Sequence, residues 1–215
     1  MSVAAVPQPV VSNREHVYLP GVSYATYDAL VTELEGHRRL RITYYKGAME
    51  IMSPSQNHER VKRLFGRMIE SLTEVLDIAM MSMGSTTFKD ELKECGLEPD
   101  ECYYVQHEAA VRGKTVKLGV DPSPDLVLEV DITTSVIDRL PIYAEFGFPE
   151  LWQYVDDEIV IRLLQPNGEY AIGKQSLALP MASVSRLVEQ MMRCESMNET
   201  AWIREFREWV RGGMK

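Results

Sequence analysis

Two periodic patterns of hydrophobic and polar positions occur along the chain, one typical of helices and one typical of strands. The strongest is helical, because apolar residues recur every three or four positions from Val61 to Leu76, over about five turns. One face of this segment is therefore apolar, which predicts a long helix packed against the core. Its apolar positions are Val61, Leu64, Phe65, Met68, Ile69, Leu72, Val75 and Leu76.

A shorter helix and a hairpin come before this segment. Apolar residues at helical spacing in 24–34 predict the helix, with Ser23 as its N-cap and Gly36 as its stop. Residues 39–45 alternate apolar and polar side chains, and residues 48–52 follow after a Lys-Gly turn. This arrangement predicts two strands joined as a β-hairpin.

The second half of the chain is richer in strand patterns. A short apolar strand is predicted over 126–131, with Glu129 and Asp131 inside it. A short helix that carries Arg139 and Tyr143 follows. Further strands are predicted at 78–83, 102–105, 151–155, 159–164 and near Tyr170, and terminal helices at 183–192 and 200–210.

Helices and strands in this order predict an α/β fold with a mixed β-sheet at its centre. The chain has 215 residues, which is enough for one domain with its own hydrophobic core. We interpret residues 1–18 as a flexible N-terminal tail and residues 19–215 as a single domain that ends in the C-terminal helices.

Composition narrows the class of protein. With 45% hydrophobic and 26% charged residues the chain is typical of a globular protein, and no apolar run is long enough to span a membrane. The cysteines, Cys95, Cys102 and Cys194, lack metal-ligand spacing. This argues against a disulfide framework or a zinc site and favours the reducing cytoplasm. The net charge of −9 argues against broad electrostatic binding to DNA but is compatible with a local basic face.

Acidic residues in predicted strands are the first candidates for chemistry, because a buried carboxylate needs a partner or a metal. Alternate residues of a strand share a face, so Glu129 and Asp131 point the same way, and Asp125 falls on that side too. Asp100 stands at the entry to another strand. An Asp and a Glu from neighbouring strands suit Mg²⁺, which binds one or two carboxylates with water and phosphate. The alternate apolar residues that face the core are Leu126, Leu128 and Val130.

Each of these acids also has a purely structural alternative. Glu129 could form an internal ion pair, since an isolated buried glutamate needs a partner. Asp125 could be a turn residue ahead of its strand.

Several short motifs follow one another along the chain. They are Gly47 to Pro54 with His58 after it, Pro99-Asp100, Asp125 to Val130, Asp138-Arg139 with Tyr143, and Gly147 to Trp152. Their order and spacing resemble those of the Uma-type restriction endonucleases, which belong to the PD-(D/E)XK nuclease superfamily. The resemblance covers about residues 19–164. It implies a restriction-endonuclease-like core, in which helices flank a central mixed β-sheet.

The resemblance also implies roles for particular residues. Asp100 and Glu129 would be the carboxylates that bind the metal, which would be Mg²⁺ or alternatively Mn²⁺. Glu50 would match a further catalytic acid that such folds often bring from an upstream element. The third motif residue of the superfamily is a lysine, which in this family lies on the helix after the strand. In this chain Asp131 stands at the strand position, and Arg139 stands at the helix position of the family lysine. An arginine cannot give up its proton, so Arg139 would stabilise phosphate charge rather than act as a base.

Three further residues are candidates for contact with the substrate. Tyr143 lies one helical turn beyond Arg139, where it could orient Arg139, touch the nucleic-acid backbone or pack in the helix. His58 opens the long helix and could contact substrate or cap the helix. Arg60 belongs to a basic helix face that would either contact phosphates or be solvated. The other members of this face are Lys62, Arg63 and Arg67.

Two functions from different classes fit these residues. The first is a Mg²⁺-dependent endonuclease that hydrolyses phosphodiester bonds of DNA, with Arg139 in place of the family lysine. The alternative is a catalytically degenerate nuclease-fold module for binding or interaction, which Arg139 and the acidic net charge favour. Recognition sequence and strandedness of the substrate stay open.

A homodimer is expected by analogy with the fold, in the cytoplasm and without membrane contact. The C-terminal helices could supply the contact between subunits or could pack on their own subunit. The residues concerned are Met191, Met192, Trp202 and Trp209.

Overall fold

The computed structural model describes residues 10–13, 16–34, 40–131 and 135–214, which form two six-stranded sheets with helices around them. The strands of the first sheet are β1 (Val10–Asn13), β2 (His16–Pro20), β3 (Arg41–Tyr45), β4 (Ala48–Met52), β6 (Phe88–Asp90) and β7 (Cys95–Leu97). Their order is β1-β2-β4-β3-β7-β6, with all neighbours antiparallel. The predicted hairpin is the β3–β4 pair.

The second sheet is mixed. Its strands are β5 (Met81–Ser82), β8 (Glu101–Tyr104), β9 (Leu126–Val130), β10 (Glu150–Val155), β11 (Glu158–Leu164) and β12 (Tyr170–Ile172). Their order is β12-β11-β10-β9-β8-β5, and β9 and β10 run parallel while the other neighbours are antiparallel.

The helices lie against these sheets. They are α1 (Tyr24–Glu33), α2 (Gln56–Val75), α3 (Glu108–Val111), α4 (Leu140–Glu145), α5 (Val184–Met192) and α6 (Glu199–Arg211). An α/β fold with a central mixed sheet flanked by helices, as the sequence predicts, is thereby confirmed.

The two faces of β9 pack into different clusters. Its even-numbered apolar residues pack against α2, α5 and α6, as their alternation predicts. Val127 packs on the opposite side with Ile142 and Tyr143 of α4. Because alternate residues of a strand share a face, Glu129 lies on the side of Val127, between the sheet and α4.

Helix α2 begins before its apolar pattern does. The side chain of Ser55 caps it by accepting the main-chain N–H of His58 at 3.1 Å. The helix ends at Val75 and buries its apolar stripe on the second sheet. The cap places His58 in the first turn, at the end of the helix that faces Asp100.

The flexible N-terminal tail over residues 1–18 stays a prediction, although the part of it that the structure describes is paired into strands. Strand β2 pairs with β4 from His16 to Pro20, and β1 pairs with β2. The short segment gains its structure from main-chain pairing to a distant hairpin, which local sequence patterns do not reveal. Residues 1–9, 14 and 15 lie outside the described residues, as does Gly36, the predicted stop of α1.

The C-terminal helices pack on their own subunit. Met191 and Trp202 are almost fully buried in the core cluster beside α2, and Trp209 packs against it. Met192 is 38% exposed and leaves part of its side chain at the surface. Within the described residues, no helix is both long and apolar enough to cross a membrane.

Gly96 of β7 allows a close ring contact that leads to a stability prediction. A Cβ atom at this position would lie 2.7 Å from Cζ of Tyr27, and Tyr27 is fully buried and stacked on Tyr44. We expect Gly96→Ala to lower the free energy of unfolding by about 1–3 kcal/mol through overpacking. Urea unfolding measures the change.

Gly66 in α2 is the matched control. Its added Cβ would meet Tyr103 Oη only at 3.4 Å, an ordinary contact. Gly66→Ala should therefore leave the free energy of unfolding unchanged or raise it by up to about 1 kcal/mol through helix propensity. Equal effects of the two substitutions would contradict the assigned ring contact at Gly96.

Candidate functional site

Asp100 and Glu129 are neighbours across two antiparallel strands. In the β8–β9 register Glu101 pairs with Leu128, so the next step pairs Asp100 with Glu129. The main-chain N–H of Val130 donates to Asp100 Oδ2 at 2.8 Å. The two carboxylates therefore lie on the same side of the second sheet.

Asp100 is 2% exposed and is held by basic groups. His58 Nε2 lies 3.1 Å from its Oδ2, and Arg41 Nη2 lies 3.9 Å from its Oδ1. Burial alone would raise the pKa of Asp100, but the hydrogen bond and charge of His58, together with the Val130 amide and Arg139, lower it. Asp100 is therefore ionised at neutral pH.

Glu129 forms the internal ion pair that the sequence left open. Arg139 Nη1 donates to its Oε2 at 2.5 Å, and the Tyr143 hydroxyl donates to its Oε1. The second guanidinium nitrogen of Arg139, Nη2, donates to the Glu98 carbonyl at 2.7 Å. Both donors come from α4 and the residue just before it, so this short helix controls the surroundings of Glu129.

Burial raises the pKa of Glu129 to about 7, against the opposite effect of Arg139. The nearby negative charge of Asp100 raises the pKa of Glu129 further. The two neighbouring carboxylates therefore have pKa values pushed apart, which is typical of functional sites.

Glu50 of β4 holds the chain segment that leads to Arg139. Its Oε1 accepts from His16 Nδ1 and from the Val136 amide, both at 3.0 Å, and its Oε2 accepts from Ser135 Oγ at 2.5 Å. Burial opposes ionisation of Glu50, yet these hydrogen bonds lower its pKa. The geometry makes Glu50 a positioning residue for this segment, while its predicted role as a catalytic acid stays a prediction.

Arg60 lies apart from these acids. Its Nη2 approaches Cys194 Sγ at 3.6 Å, and it lines a separate cavity of about 360 Å³. Asp131 lines both this cavity and the one beside Glu129. The structure therefore does not bring Arg60 to the acids, and substrate contact by Arg60 stays a prediction.

Asp125 has a structural role ahead of strand β9, in agreement with its alternative interpretation. Its Oδ2 accepts the amides of Val105 and His107 at 2.7 and 2.9 Å, and its Oδ1 meets His107 Nδ1 at 2.5 Å. These contacts fix the loop after β8 and use both carboxylate oxygens.

A cavity of about 290 Å³ connects the predicted residues with others that the sequence did not indicate. His58, Glu129, Arg139 and Tyr143 line it, and so does Glu50. The additional polar residues of its wall are Arg41, Thr43, Ser135, Gln153 and Arg162, whereas Asp100 is not part of the wall.

Arg41 is the most informative of these additional residues. Arg41 lies between Leu40 and Ile42 in the alternating pattern of the predicted strand, and nothing in that pattern marked it as a site residue. In the structure it is 8% exposed, because the second face of β3 is covered as well. An arginine between two apolar residues of the predicted strand was the available signal.

Asp100 and Glu129 are the two carboxylates that the sequence predicts as ligands of a divalent cation. No group of three or more His, Cys, Asp or Glu side chains in the described ranges could hold a metal ion. Mg²⁺, however, is often bound by one or two carboxylates with water and substrate phosphate as the other ligands. Asp100 Oδ1 receives no hydrogen bond within the described chain, and Glu129 would have to share its oxygens with Arg139 and Tyr143.

An Asp and a Glu lie side by side on adjacent strands of the mixed sheet, the arrangement that the motifs predicted. The family model described as "Putative restriction endonuclease" (Uma2) matches residues 26–192. The chain belongs to this family.

A crystal structure described as "a putative nuclease belonging to DUF820 from Anabaena variabilis ATCC 29413" is similar to this chain. The matched region covers 79% of this chain and 90% of the other. The identity is 11% and the TM-score 0.42. No curated protein matches the chain.

The pKa of Glu129 leads to a testable pH dependence. It rises from 4.5 to about 7 on folding, so between these values the folded protein holds a proton that the unfolded chain has released. The free energy of unfolding, relative to that of Glu129→Gln, should therefore fall as the pH rises through this window, at up to about 1.4 kcal/mol per pH unit. Urea titrations of metal-free protein at several pH values measure it.

Glu158→Gln is the control for this measurement, because Glu158 is an exposed acid on the nearby strand β11. Its difference from wild type is measured at the same pH values and serves as the reference. A flat difference for Glu129→Gln would show that Glu129 ionises normally in the folded protein.

Proposed function

We propose that the chain is a Mg²⁺-dependent endonuclease that hydrolyses phosphodiester bonds of DNA, with Mn²⁺ as an alternative metal. The single observation that carries this proposal is the pairing of Asp100 and Glu129 beside Arg139, in a chain of the restriction endonuclease family. Asp100 and Glu129 would hold the metal, which would lower the pKa of a bound water and offset charge on the phosphate.

The protein's own residues would prepare the site for this reaction. His58 holds the Asp100 carboxylate in place, and Tyr143 does the same for Glu129. Arg139 would turn part of its hydrogen-bonding capacity to the non-bridging phosphate oxygens and stabilise their charge in the transition state. Glu50 would act through the 135–137 segment, since it fixes the path of the chain before Arg139.

A catalytically degenerate binding module is the second candidate. The observation in its favour is the ion pair itself, because Arg139 already supplies a positive charge to Glu129. The basic face of α2 gives DNA little support, since Lys62 and Arg67 pair with Glu59 and Glu199. A homodimer and a cytoplasmic location stay proposals from the fold and the composition.

Cleavage assays separate the two candidates. We expect wild type to cut plasmid or single-stranded DNA with Mg²⁺ or Mn²⁺, and Glu129→Ala to lose activity by about a hundredfold or more because one of two metal carboxylates is gone. Glu158→Gln, an exposed acid on β11, should cut like wild type.

Calorimetric titration with Mg²⁺ or Mn²⁺ completes this test. If wild type cuts and Glu129→Ala does not, the degenerate module is excluded. If neither protein cuts with either metal although metal binds, the endonuclease proposal fails.

Arg139→Lys tests whether Arg139 is a weaker version of the family lysine. A lysine can shift its pKa and help to activate water, whereas an arginine stays protonated. We expect Arg139→Lys to raise the cleavage rate by roughly tenfold, below the usual contribution of a well-placed base. Arg112→Lys is the control, because Arg112 also pairs with a glutamate but lies on the surface. An unchanged or lower rate for Arg139→Lys would refute this role.

A further inference from the structure

In the wall of the cavity beside Glu129, the principal hydrogen-bond acceptors are used while some donors are left over. Its principal acceptors are already used, because both oxygens of Glu50 and both oxygens of Glu129 accept from protein donors. Asp138 accepts from the amide of Leu140, and Asp131 is exposed to solvent. The carboxylates of the wall therefore do not consume the remaining donors.

Two buried donors in this wall have no acceptor. Nε of Arg41 and Nε of Arg139 are buried without a hydrogen-bond partner in the part of the chain that the structure describes. Nη2 of Arg41 makes no hydrogen bond there either and only approaches Glu59 and Asp100 at 3.9 Å. Buried polar groups are nearly always satisfied, so unsatisfied donors on two side chains that line a cavity favour a ligand that accepts hydrogen bonds.

Glu98 holds the two arginines in a fixed relation. Its Oε2 accepts from Arg41 Nη1 at 3.0 Å, and its main-chain oxygen accepts from Arg139 Nη2 at 2.7 Å. Thr87 Oγ1 fixes the other carboxylate oxygen at 2.9 Å. Two guanidinium groups ordered in advance reduce the entropy cost of binding an anion between them.

We propose that Arg41 and Arg139 form a phosphate-binding pair in this cavity, and that its ligand is a phosphodiester group of a nucleic-acid backbone. Guanidinium groups bind phosphate oxygens through two parallel hydrogen bonds, which suits the unused Nε and Nη2 of Arg41, while Arg139 offers its Nε alone. The identity of the ligand rests on the proposed nuclease function. The binding itself requires no metal.

A neighbouring groove favours a polymer over a free phosphate ion. Arg41 also lines a groove of about 1010 Å³, whose other charged residues are Glu59, Lys62, Lys89, Glu98 and Glu101. Lys62 pairs with Glu59 and Lys89 with Asp28, so the groove offers a backbone held by Arg41 room to continue rather than unpaired positive charge. An isolated phosphate ion would use the cavity alone.

Binding to the metal-free full-length chain tests this proposal. In EDTA, isothermal titration calorimetry with inorganic phosphate and with a short oligothymidylate should show binding of both, and tighter binding of the oligothymidylate. Arg41→Gln should weaken both by about tenfold or more, because it removes a charge-assisted contact. Arg112→Gln should bind like wild type, since Arg112 pairs with Glu108 at 2.6 Å on the surface.

Thermal unfolding shows whether each variant is folded. A second substitution, Arg41→Lys, tests the same side chain independently. Arg41→Lys keeps the charge but loses the planar fork, so it should also bind more weakly than wild type. If Arg41→Gln does not fold, Arg41→Lys decides the matter. Wild-type affinity in a folded Arg41 variant, or no binding of either probe to wild type, overturns the proposal. Binding of phosphate without oligothymidylate overturns the assignment to nucleic acid.

Failure of this inference is distinguishable from failure of the proposed function. If no DNA is cut but Arg41→Gln loses affinity for both probes, the endonuclease proposal fails and the phosphate-binding pair stands. If DNA is cut and Arg41→Gln binds both probes as wild type does, the pair is wrong and the endonuclease proposal stands.

Discussion

The buried ion pair between Glu129 and Arg139 is the interaction on which the rest of the site depends. Two charges in the interior are costly to desolvate, and they are tolerated only when further hydrogen bonds satisfy them. Here the Tyr143 hydroxyl and the Glu98 carbonyl supply those bonds. Loss of either partner would leave the other charge buried and uncompensated, so the pair couples the position of α4 to the strand that carries Glu129.

This ion pair also joins the two sheets. Glu50 of the first sheet fixes the segment before Arg139, and Arg41 of the same sheet reaches towards Asp100. Asp100 and Glu129 come from the second sheet. The candidate site therefore lies where the two sheets meet, and residues of both sheets contribute to it.

The same arrangement explains why catalysis and binding are both reasonable outcomes for this chain. A divalent cation at Asp100 and Glu129 must share Glu129 with a guanidinium that is already bound to it. The high pKa of Glu129, caused mainly by burial, further lowers the negative charge offered to a metal near neutral pH. In the endonuclease that we propose, hydrolysis would depend on how readily Arg139 turns from Glu129 to a phosphate.

Local patterns in the sequence determined much of this protein. The periodicity of α2, the alternation of β9 and the order of the motifs predicted the fold class, the family and the face of Glu129, because each depends on neighbouring residues along the chain. Only the tertiary structure decided which groups meet across elements. It paired β2 with a distant hairpin, turned Arg60 towards Cys194, engaged Glu50 with the 135–137 segment and buried Arg41. These contacts join residues far apart in sequence, and their energies depend on packing and desolvation that no local pattern records.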